Sequence, residues 1–342
     1  MTPTTDLRLR VAGLVLASLV AGLAAVWGGF ALWYRASKST ATRTLGVAVW
    51  AGFSVALGAA LWRGHGTFAA AGFCLGLAAL LTWWARLRPT NQGDWADDVA
   101  RLSTGEISGE RVTLHNVRNF DWRAGGECAR RWETRSYDLR ALQSVDMVMS
   151  YWRGPAIAHM VMSFGFADGS HVAFSVEIRR LRTQQFSEIG GFFKDFELSI
   201  IAADEHDVIR LRSNVRGERV FIYRLVLPAS AVRQLFLAYV EEANDLAGSP
   251  RFYNTVTVNC TTLVYRMMRR IVGHLPLSYR LLFSGYIPEY VYRIGGFDDR
   301  YSLEELRSLG YASERARQSA GPESFSADIR RGMPLGGGDP VQ

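Results

Sequence analysis

Three uncharged apolar runs occupy the first quarter of the chain, at residues 11–34, 45–62 and 67–85. Each run is close to the roughly 20 residues that a helix needs to cross a bilayer. The pattern therefore predicts three transmembrane helices within a membrane module over residues 1–88. Buried core helices are the alternative for any single run. For the first run a cleaved signal peptide is also conceivable, but the length of that run and the two spans after it favour an uncleaved anchor.

Residues at the ends of the runs also fit membrane spans. Trp62, Trp83 and Trp84 lie where interfacial aromatic residues are typical. An amino terminus in the cytoplasm would place Arg8, Arg10 and Arg63 inside, and Arg35, Lys38, Arg43, Arg86 and Arg88 outside. Counted alone, these charges favour the opposite topology.

The chain behind the spans is long enough for one domain with its own core. We assign residues 89–109 to a linker, 110–312 to this domain and 313–342 to a C-terminal extension with disordered final residues. The net charge of +7 is spread as isolated arginines. This pattern indicates a solvated surface or attraction to anionic lipid, and no nucleic-acid motif is found.

Three cysteines, Cys74, Cys128 and Cys260, are too few for a disulfide framework. Cys74 lies inside the third apolar run, so a Cys128–Cys260 bridge is the one pairing to consider. The residues around Cys260 favour a reactive thiol instead. The histidines are too scattered for a typical zinc site, and neither a metal nor a cofactor is predicted.

Two helices are predicted in the domain. Residues 228–247 begin with Pro228, precede Gly248 and carry an apolar stripe that indicates core packing. A second helix follows Asn259, a preferred N-cap residue, and has apolar residues at helical spacing from Leu263 to Ile271. Cys260 therefore lies in the first turn, where backbone N–H groups and the helix dipole stabilise a thiolate. Unpaired N–H groups there can also receive an oxyanion.

Residues 159–180 predict a β-hairpin in which even-numbered residues of both strands are apolar and face the core. Two residues that pair across the hairpin lie on the same face of the sheet, so their residue numbers must have an even sum. This condition favours a three-residue loop with Gly169 in the left-handed region. Phe166 then faces Ser170, and His159 faces Glu177 on the other face. The carboxylate can thus orient the imidazole. The alternatives are a solvated His159 and a simple salt bridge from Glu177 to Arg179 or Arg180.

Several segments resemble one bacterial family, the Lnb-type periplasmic domain. The similar segments are HNVRNFDWR (115–123), YDL (137–139), SYW and AH (within 150–159), SFGFADG (163–169), SVEIRR (175–180), ADEHDVIRLRSN (203–214) and FYNTVTVNCTT (252–262). The most specific residues are Tyr253, Asn254, Asn259, Cys260 and Thr261, together with His159 and the Ser-x-Glu-x-Arg run that ends at Arg179. The resemblance covers nearly all of residues 110–335.

The resemblance implies an α+β fold: a circularly permuted papain-like or transglutaminase-like domain with an antiparallel sheet and the histidine strand before the cysteine helix. It further implies a lipoprotein transacylase, which moves an ester-linked acyl chain to the amino group of the N-terminal cysteine of a lipoprotein. The expected location is the bacterial cytoplasmic membrane, with the catalytic domain on the periplasmic side. The lipid bilayer and a lipoprotein or acyl lipid are the implied partners.

We therefore predict a cysteine acyltransferase in which Cys260 is the nucleophile, His159 the acid and base, and Glu177 the orienting group. Loop-shaping or substrate-binding roles are predicted for Asn259, Thr261, Tyr253, Asn254, Arg179 and Trp152. Trp152 is expected either at the lipid interface or in the core. Two other functions stay open, a papain-like amidase or peptidase acting on cell-wall peptide and a non-catalytic membrane scaffold.

Overall fold

The computed structural model describes residues 3–37, 39–123 and 127–334. The chain divides into two compact units. The first, here called the membrane unit, comprises the residues up to Pro89 together with Phe186–Phe196. The second, the sheet unit, comprises Thr90–Gln185 and the residues from Glu197 onward.

The membrane unit contains three long helices, α1 (Pro3–Arg35), α2 (Thr40–Trp62) and α3 (Gly66–Arg86). All three are long and apolar enough to cross a bilayer, which confirms the three predicted apolar helices and makes each a candidate span. The Trp50 indole of α2 donates to the Ala25 carbonyl of α1 at 2.8 Å. A Cβ at Gly28 would meet the Trp50 ring at 2.6 Å, so the close packing of these two helices requires glycine there.

A segment from the middle of the chain, Phe186–Phe196, belongs to the membrane unit. The Phe193 ring stacks on Phe30 and Tyr34 at centroid distances of 5.4 and 5.9 Å. The Lys194 ammonium donates to the Trp84 carbonyl at 2.8 Å. The sequence pattern did not predict this segment as part of the membrane unit, because nothing in its local periodicity distinguishes it from a loop.

The sheet unit is built on one eight-stranded sheet with the order β1-β2-β9-β8-β7-β6-β10, and β5 pairs with β2. The strands are β1 (Thr104–Ser108), β2 (Arg111–Arg118), β3 (Asp121–Trp122), β4 (Cys128–Ala129), β5 (Trp132–Asp138), β6 (Leu142–Arg153), β7 (Ile157–Phe166), β8 (His171–Arg179), β9 (Glu197–Ala203) and β10 (Arg219–Arg224). The helices are α4 (Glu205–Arg210), α5 (Ala229–Gly248), α6 (Cys260–Val272), α7 (Ile287–Arg293), α8 (Leu303–Gly310), α9 (Ser313–Gln318) and α10 (Pro322–Asp328).

Neighbouring strands in this sheet are antiparallel, except for a short parallel contact between β2 and β9 at Arg118 and Ala203. The predicted α+β class with an antiparallel sheet is thereby confirmed. The predicted helices after Pro228 and after Asn259 correspond to α5 and α6.

Both faces of the sheet are covered. The even-numbered residues of β7 and β8, such as Phe164 and Phe174, join the larger core, to which α5 contributes Phe236 and Tyr239. On the opposite face Val161 and Ala173 pack with α4, α9 and α10 in a second core. His159 was predicted to lie on the sheet face away from the core, and this face is therefore buried as well. The helices that cover it are too short to show an apolar stripe in the sequence.

Two segments differ from the predicted boundaries. Residues 104–108, assigned above to a linker, form β1, whose Gly105 exchanges two 2.8 Å hydrogen bonds with the Asn244 side chain of α5. Within the predicted C-terminal extension, Phe325 and Ile329 are fully buried. Arg330 donates to Asp146 and Glu205, both at 2.8 Å, so this extension is part of the fold. The predicted disorder at the end of the chain falls mainly on residues 335–342, which lie outside the described residues.

Candidate active site

The β7–β8 hairpin has the predicted register. Gly165 pairs with His171, and Val161 pairs with Ser175. The Phe166 N–H donates to the Ser170 carbonyl at 2.9 Å, and Gly169 has a φ of 81°, in the left-handed region. The three-residue loop with glycine at its last position is therefore confirmed.

The ladder between β7 and β8 ends at the Val161–Ser175 pair. Just beyond it, Nε2 of His159 lies 3.3 Å from the Glu177 carboxylate. The Ser175 hydroxyl lies between the two residues, 2.7 Å from His159 Nε2 and 2.6 Å from Glu177, to which it donates. The predicted pairing of His159 with Glu177 is thus present, with a serine that bridges it.

Glu177 is fixed from its other side by Arg212, which donates to the same carboxylate oxygen at 2.7 Å. Arg212 is nearly fully buried, in a single π-helical turn over Leu211–Val215 that follows α4. Such turns are frequent at functional sites because they displace a side chain out of the regular helical path. The alternative partners of Glu177 are excluded here, since Arg179 bonds to Asn91, Val99 and Ala100, and Arg180 pairs with Asp98.

Helix α6 begins at Cys260 and is capped by Asn259. The Asn259 side chain accepts the N–H groups of Thr261 and Thr262, each at 2.9 Å, and Thr262 completes a capping box. Those two N–H groups are therefore occupied, contrary to the expectation that they were unpaired. Within the described residues the Cys260 N–H has no hydrogen-bond partner, so it is the candidate oxyanion donor of this turn.

The Cys260 side chain is buried, with 7% of the residue exposed. Its sulfur lies within hydrogen-bond reach of the His159 imidazole and of the Met160 N–H, and 4.0 Å from the Thr261 hydroxyl. The Met160 N–H is available to the sulfur because β7 no longer pairs with β8 at this position. The end of the ladder therefore creates the slot that receives the thiol.

The two reactive groups have opposite pKa shifts. Burial lowers the pKa of the His159 imidazole, but the Glu177 carboxylate raises it, and the resulting pKa is about 9. Burial raises the pKa of the Cys260 thiol, but His159 and the Met160 N–H lower it to a value below its usual range. Both shifts favour the thiolate–imidazolium pair over the neutral pair, and the thiolate is the reactive form of a catalytic cysteine.

The flanking carboxylate and tyrosine respond to the same charges. Burial raises the pKa of Glu177, but His159 and Arg212 lower it well below its usual range. Burial and the negative charge of Cys260 both raise the pKa of Tyr253. Cys260, His159, Glu177 and Arg212 thus form a row of alternating charges, with Tyr253 as a neutral neighbour.

The other predicted site residues divide into those near Cys260 and those away from it. Asn259, Thr261 and Tyr253 surround the thiol. Asn254 shapes the preceding loop, since its side chain accepts the Val256 and Thr257 N–H groups. Arg179 is not part of the site, because its buried guanidinium stacks on Trp95 at 4.5 Å and binds backbone carbonyls. Trp152 is 41% exposed, which rules out the core alternative.

An apolar cavity of about 100 Å³ lies beside the thiol. Thr261 and Val264 of α6 line it on one side, and Met160 and Met162 of β7 on another. Leu281 and Ile287 close it from the chain after α6. Thr261 therefore lies next to both the sulfur and the cavity. The backbone N–H of Met160 faces the sulfur, and the side chain of Met160 lines the cavity.

Two of the segments quoted for the family resemblance meet at a buried carboxylate outside this site. Asp207 accepts bonds from the Arg118 guanidinium, the Phe120 N–H and the Trp122 indole at 2.7–3.0 Å. These segments therefore hold α4 against β2 and β3. Since Arg212 follows α4, they also fix the position of the residue that binds Glu177.

A comparison with protein families matches residues 129–285 to the Lnb N-terminal periplasmic domain. This part of the chain resembles the Lnb domain. The match includes β7, β8, the π-helical turn and the start of α6, and so contains every residue of the charge row around Cys260. No curated protein and no solved structure matches the chain. The three candidate spans and the similarity to a periplasmic domain together indicate a membrane protein.

Among the described residues no cluster of histidine, cysteine and acidic side chains has the arrangement of a metal site. Cys74, Cys128 and Cys260 are free thiols, so the Cys128–Cys260 bridge considered above is not formed. The sequence patterns gave no role to Ser175 or Arg212. Ser175 could have been found, because it shares a face of β8 with Glu177. Arg212 could not, because its approach depends on how α4 packs.

Proposed function

We propose that this protein is a membrane-anchored cysteine acyltransferase that forms a thioester at Cys260. The observation that carries the proposal is the buried Cys260 at the start of α6, within reach of an imidazole whose pKa is raised by Glu177. A structural cysteine has no need of this surrounding charge row. A scaffold function would leave the row without a purpose.

The first half of the reaction transfers the acyl group to the enzyme. The Cys260 thiolate attacks an ester carbonyl, the C–S bond forms, and the tetrahedral oxyanion receives the Cys260 N–H at the positive end of α6. The C–O bond then breaks. The departing alkoxide takes the proton of the His159 imidazolium, which leaves a thioester and a neutral imidazole.

The second half returns the enzyme to its starting state. A neutral amine attacks the thioester carbonyl and gives a proton to His159, the C–N bond forms, and the C–S bond breaks to release the thiolate. No water is consumed. Cys260 is buried and its neighbouring cavity is apolar, and both features disfavour the competing hydrolysis.

The Lnb domain guides the choice of substrate. We infer that the ester is the diacylglyceryl group of a bacterial lipoprotein and that the amine is that of its N-terminal cysteine, so that the product is a lyso lipoprotein. An apolar cavity beside the thiol suits an acyl chain better than it suits a cell-wall peptide. We place the catalytic domain on the periplasmic side of the cytoplasmic membrane, as the description of the family suggests.

The test is mass spectrometry of lipoprotein amino termini after reaction in lipid nanodiscs. We expect acyl transfer to the amine with the wild type and with Cys128→Ala, a matched change at the half-buried Cys128, and none with Cys260→Ala or His159→Ala. Transfer that persists in Cys260→Ala would refute the proposal. Unchanged lipoprotein in every reaction, combined with cleavage of cell-wall peptides by the wild type alone, would establish the peptidase alternative instead.

A further inference from the structure

A second feature of the sheet unit is an apolar surface that the acyl-transfer chemistry does not use. It consists of the exposed side chains of Val272, Leu277, Tyr279, Leu282 and Phe283, here called the apolar loop surface. Leu277 is 80% exposed and Leu282 is 55% exposed. Large apolar side chains clustered in this way are uncommon on a soluble face and mark an interaction site.

The loop that carries this surface is held firmly against the start of β7. The Ser284 hydroxyl accepts the Ala158 N–H at 3.0 Å, and the Gly285 N–H donates to the Ala156 carbonyl at 3.0 Å. A Cβ at Gly285 would lie 2.0 Å from the Pro155 carbonyl oxygen, so glycine is required for this approach. The exposed apolar side chains therefore project from an anchored segment, and Ala158, to which that segment is hydrogen-bonded, precedes His159 in the chain.

The charged residues of the segment that carries the apolar loop surface are all basic. The sequence contains no Asp or Glu between Asp245 and Glu289. The same stretch carries Arg266, Arg269, Arg270 and Arg280. Within the described residues none of these four arginines forms an ion pair with a carboxylate. Exposed apolar side chains bordered by unpaired arginines match the composition of segments that lie in the interface of an anionic membrane.

The segment that carries the surface also lines the apolar cavity. Leu281 lies between Arg280 and the exposed Leu282 in the chain, and it lines the cavity together with Leu275. The cavity lining also includes Thr261, whose hydroxyl is 4.0 Å from the Cys260 sulfur. One short segment therefore contributes both to the exposed surface and to the cavity next to the thiol.

We propose that the apolar loop surface docks onto an anionic lipid bilayer and is the entrance through which an acyl chain reaches the cavity. The occupant of the surface is the bilayer itself: Leu277 and Leu282 insert at the boundary between headgroups and acyl chains, and Arg269 and Arg270 bind lipid phosphates. The entrance role rests on the function proposed above. The docking does not, because it requires no chemistry at Cys260.

Docking is tested in the full-length chain with Cys74, Cys128 and Cys260 replaced by alanine and a single new cysteine for an environment-sensitive fluorophore. The cysteine replaces Leu277, or Ile107, which is 45% exposed on β1, or Leu75, which is 73% exposed on α3. The proteins are placed in nanodiscs that contain phosphatidylglycerol and lipids brominated at several depths, from near the headgroup to the acyl-chain end. We expect strong quenching at Leu277→Cys and Leu75→Cys, and none at Ile107→Cys.

Charge variants test the arginines. Arg269→Glu with Arg270→Glu should abolish most of the quenching at Leu277→Cys. The matched pair Arg101→Glu with Arg131→Glu makes the same change in net charge at two other exposed arginines and should not. Quenching at Leu277→Cys no stronger than at Ile107→Cys would overturn the proposal. A label that is shielded from aqueous iodide but not quenched by brominated lipid would instead place a protein on this surface, and would equally overturn it.

The entrance role has a separate readout. Leu277→Asn with Leu282→Asn should lower transfer from a bilayer-embedded ester at least tenfold and leave transfer from a short-chain soluble ester unchanged. An equal loss on both substrates would refute the entrance role. Inactivity of the unmodified wild type on both would refute the proposed function and leave the docking result standing.

Discussion

The His159 imidazole lies 3.3 Å from the Glu177 carboxylate, across two strands whose backbone ladder has already ended. This separation of the strands lets the sulfur of Cys260 approach from the side of the larger core while the carboxylate remains on the opposite face. The geometry predicts how the thiol responds to changes in each neighbour.

Glu177→Gln should make Cys260 less reactive at neutral pH. Without the carboxylate, the main influence that raises the pKa of His159 is lost, whereas burial and Arg212 still lower it, so this pKa should fall from about 9. A smaller fraction of the imidazole is then protonated at pH 7, and the thiolate is less stabilised. We expect the rate of Cys260 alkylation by iodoacetamide at pH 7 to fall at least tenfold, because one pKa unit corresponds to about a factor of ten. The control Glu304→Gln, at an exposed residue of α8, should leave the rate unchanged.

The same pKa predicts an alkaline limit for acyl transfer. A raised histidine pKa means that the imidazolium is present below about pH 9 and is lost as the pH rises through that value. Since the imidazolium protonates the departing alkoxide, kcat should fall above about pH 9. Arg212 lowers the pKa of His159, so Arg212→Met should move this limit to higher pH. A pH–rate profile that reaches its alkaline limit near the ordinary histidine value would contradict this assignment.

Ser175→Ala should weaken the orientation of the imidazole and leave the fold intact. The hydroxyl accepts from His159 and donates to Glu177, and alanine removes both bonds. We expect a fall in kcat of about tenfold, the low end of the range for residues that orient a reactive group, with KM unchanged. Ser199→Ala is the matched control, because among the described residues that buried hydroxyl donates to the Glu177 carbonyl and not to the imidazole or the carboxylate. Equal effects of the two changes would show that the loss is structural.

Changes at Asn259 should separate the stability of α6 from the acidity of its first residue. Asn259→Ala removes the cap of Thr261 and Thr262 and should cost about 1 kcal/mol in the free energy of unfolding. Asn259→Asp keeps the cap, loses the bond that the Asn259 amide donates to the Thr255 carbonyl, and adds a negative charge beside the thiol. It should therefore raise the pKa of Cys260, whereas Asn259→Ala adds no charge. Urea unfolding in detergent and the pH dependence of alkylation measure the two effects. An alkylation profile of Asn259→Asp identical to that of Asn259→Ala would contradict the expected effect of the charge.

Neighbouring arginines near the end of the fold should differ sharply in their contribution to stability. Arg330→Met leaves the fully buried Asp146 and Glu205 without their shared partner and should cost about 3–5 kcal/mol. Arg331 is exposed and pairs with Asp328 at the surface, so Arg331→Met should cost less than about 1 kcal/mol. Thermal unfolding of the two variants gives the comparison, and similar melting temperatures would exclude a stabilising role for the buried network.

Patterns of period two and 3.6 were enough to predict the parts of the site that depend on one hairpin and one helix. Side-chain parity gave the register that places His159 beside Glu177, and the N-cap signal at Asn259 located Cys260. Both follow from local backbone geometry.

The remaining features depend on packing between distant segments. Arg212 reaches Glu177 only because a π-helical turn follows α4. Arg179 shares a strand with Glu177, but its side chain packs against the segment around Trp95. The polar composition of that segment did not indicate that it belongs to the sheet unit. The segment Phe186–Phe196 joins the membrane unit although both flanking strands belong to the sheet unit. The residue pattern of one strand does not show which distant segments pack against it.

The buried contact of Arg330 with Asp146 and Glu205 has a consequence for biosynthesis. The ribosome produces the membrane helices first, then the strands that carry His159 and Glu177, then Cys260, and only afterwards Arg330. Asp146 can pair with Arg224 before that point, whereas Glu205 still awaits Arg330. The last described segment of the chain therefore completes the second core after the residues around Cys260 have all been made.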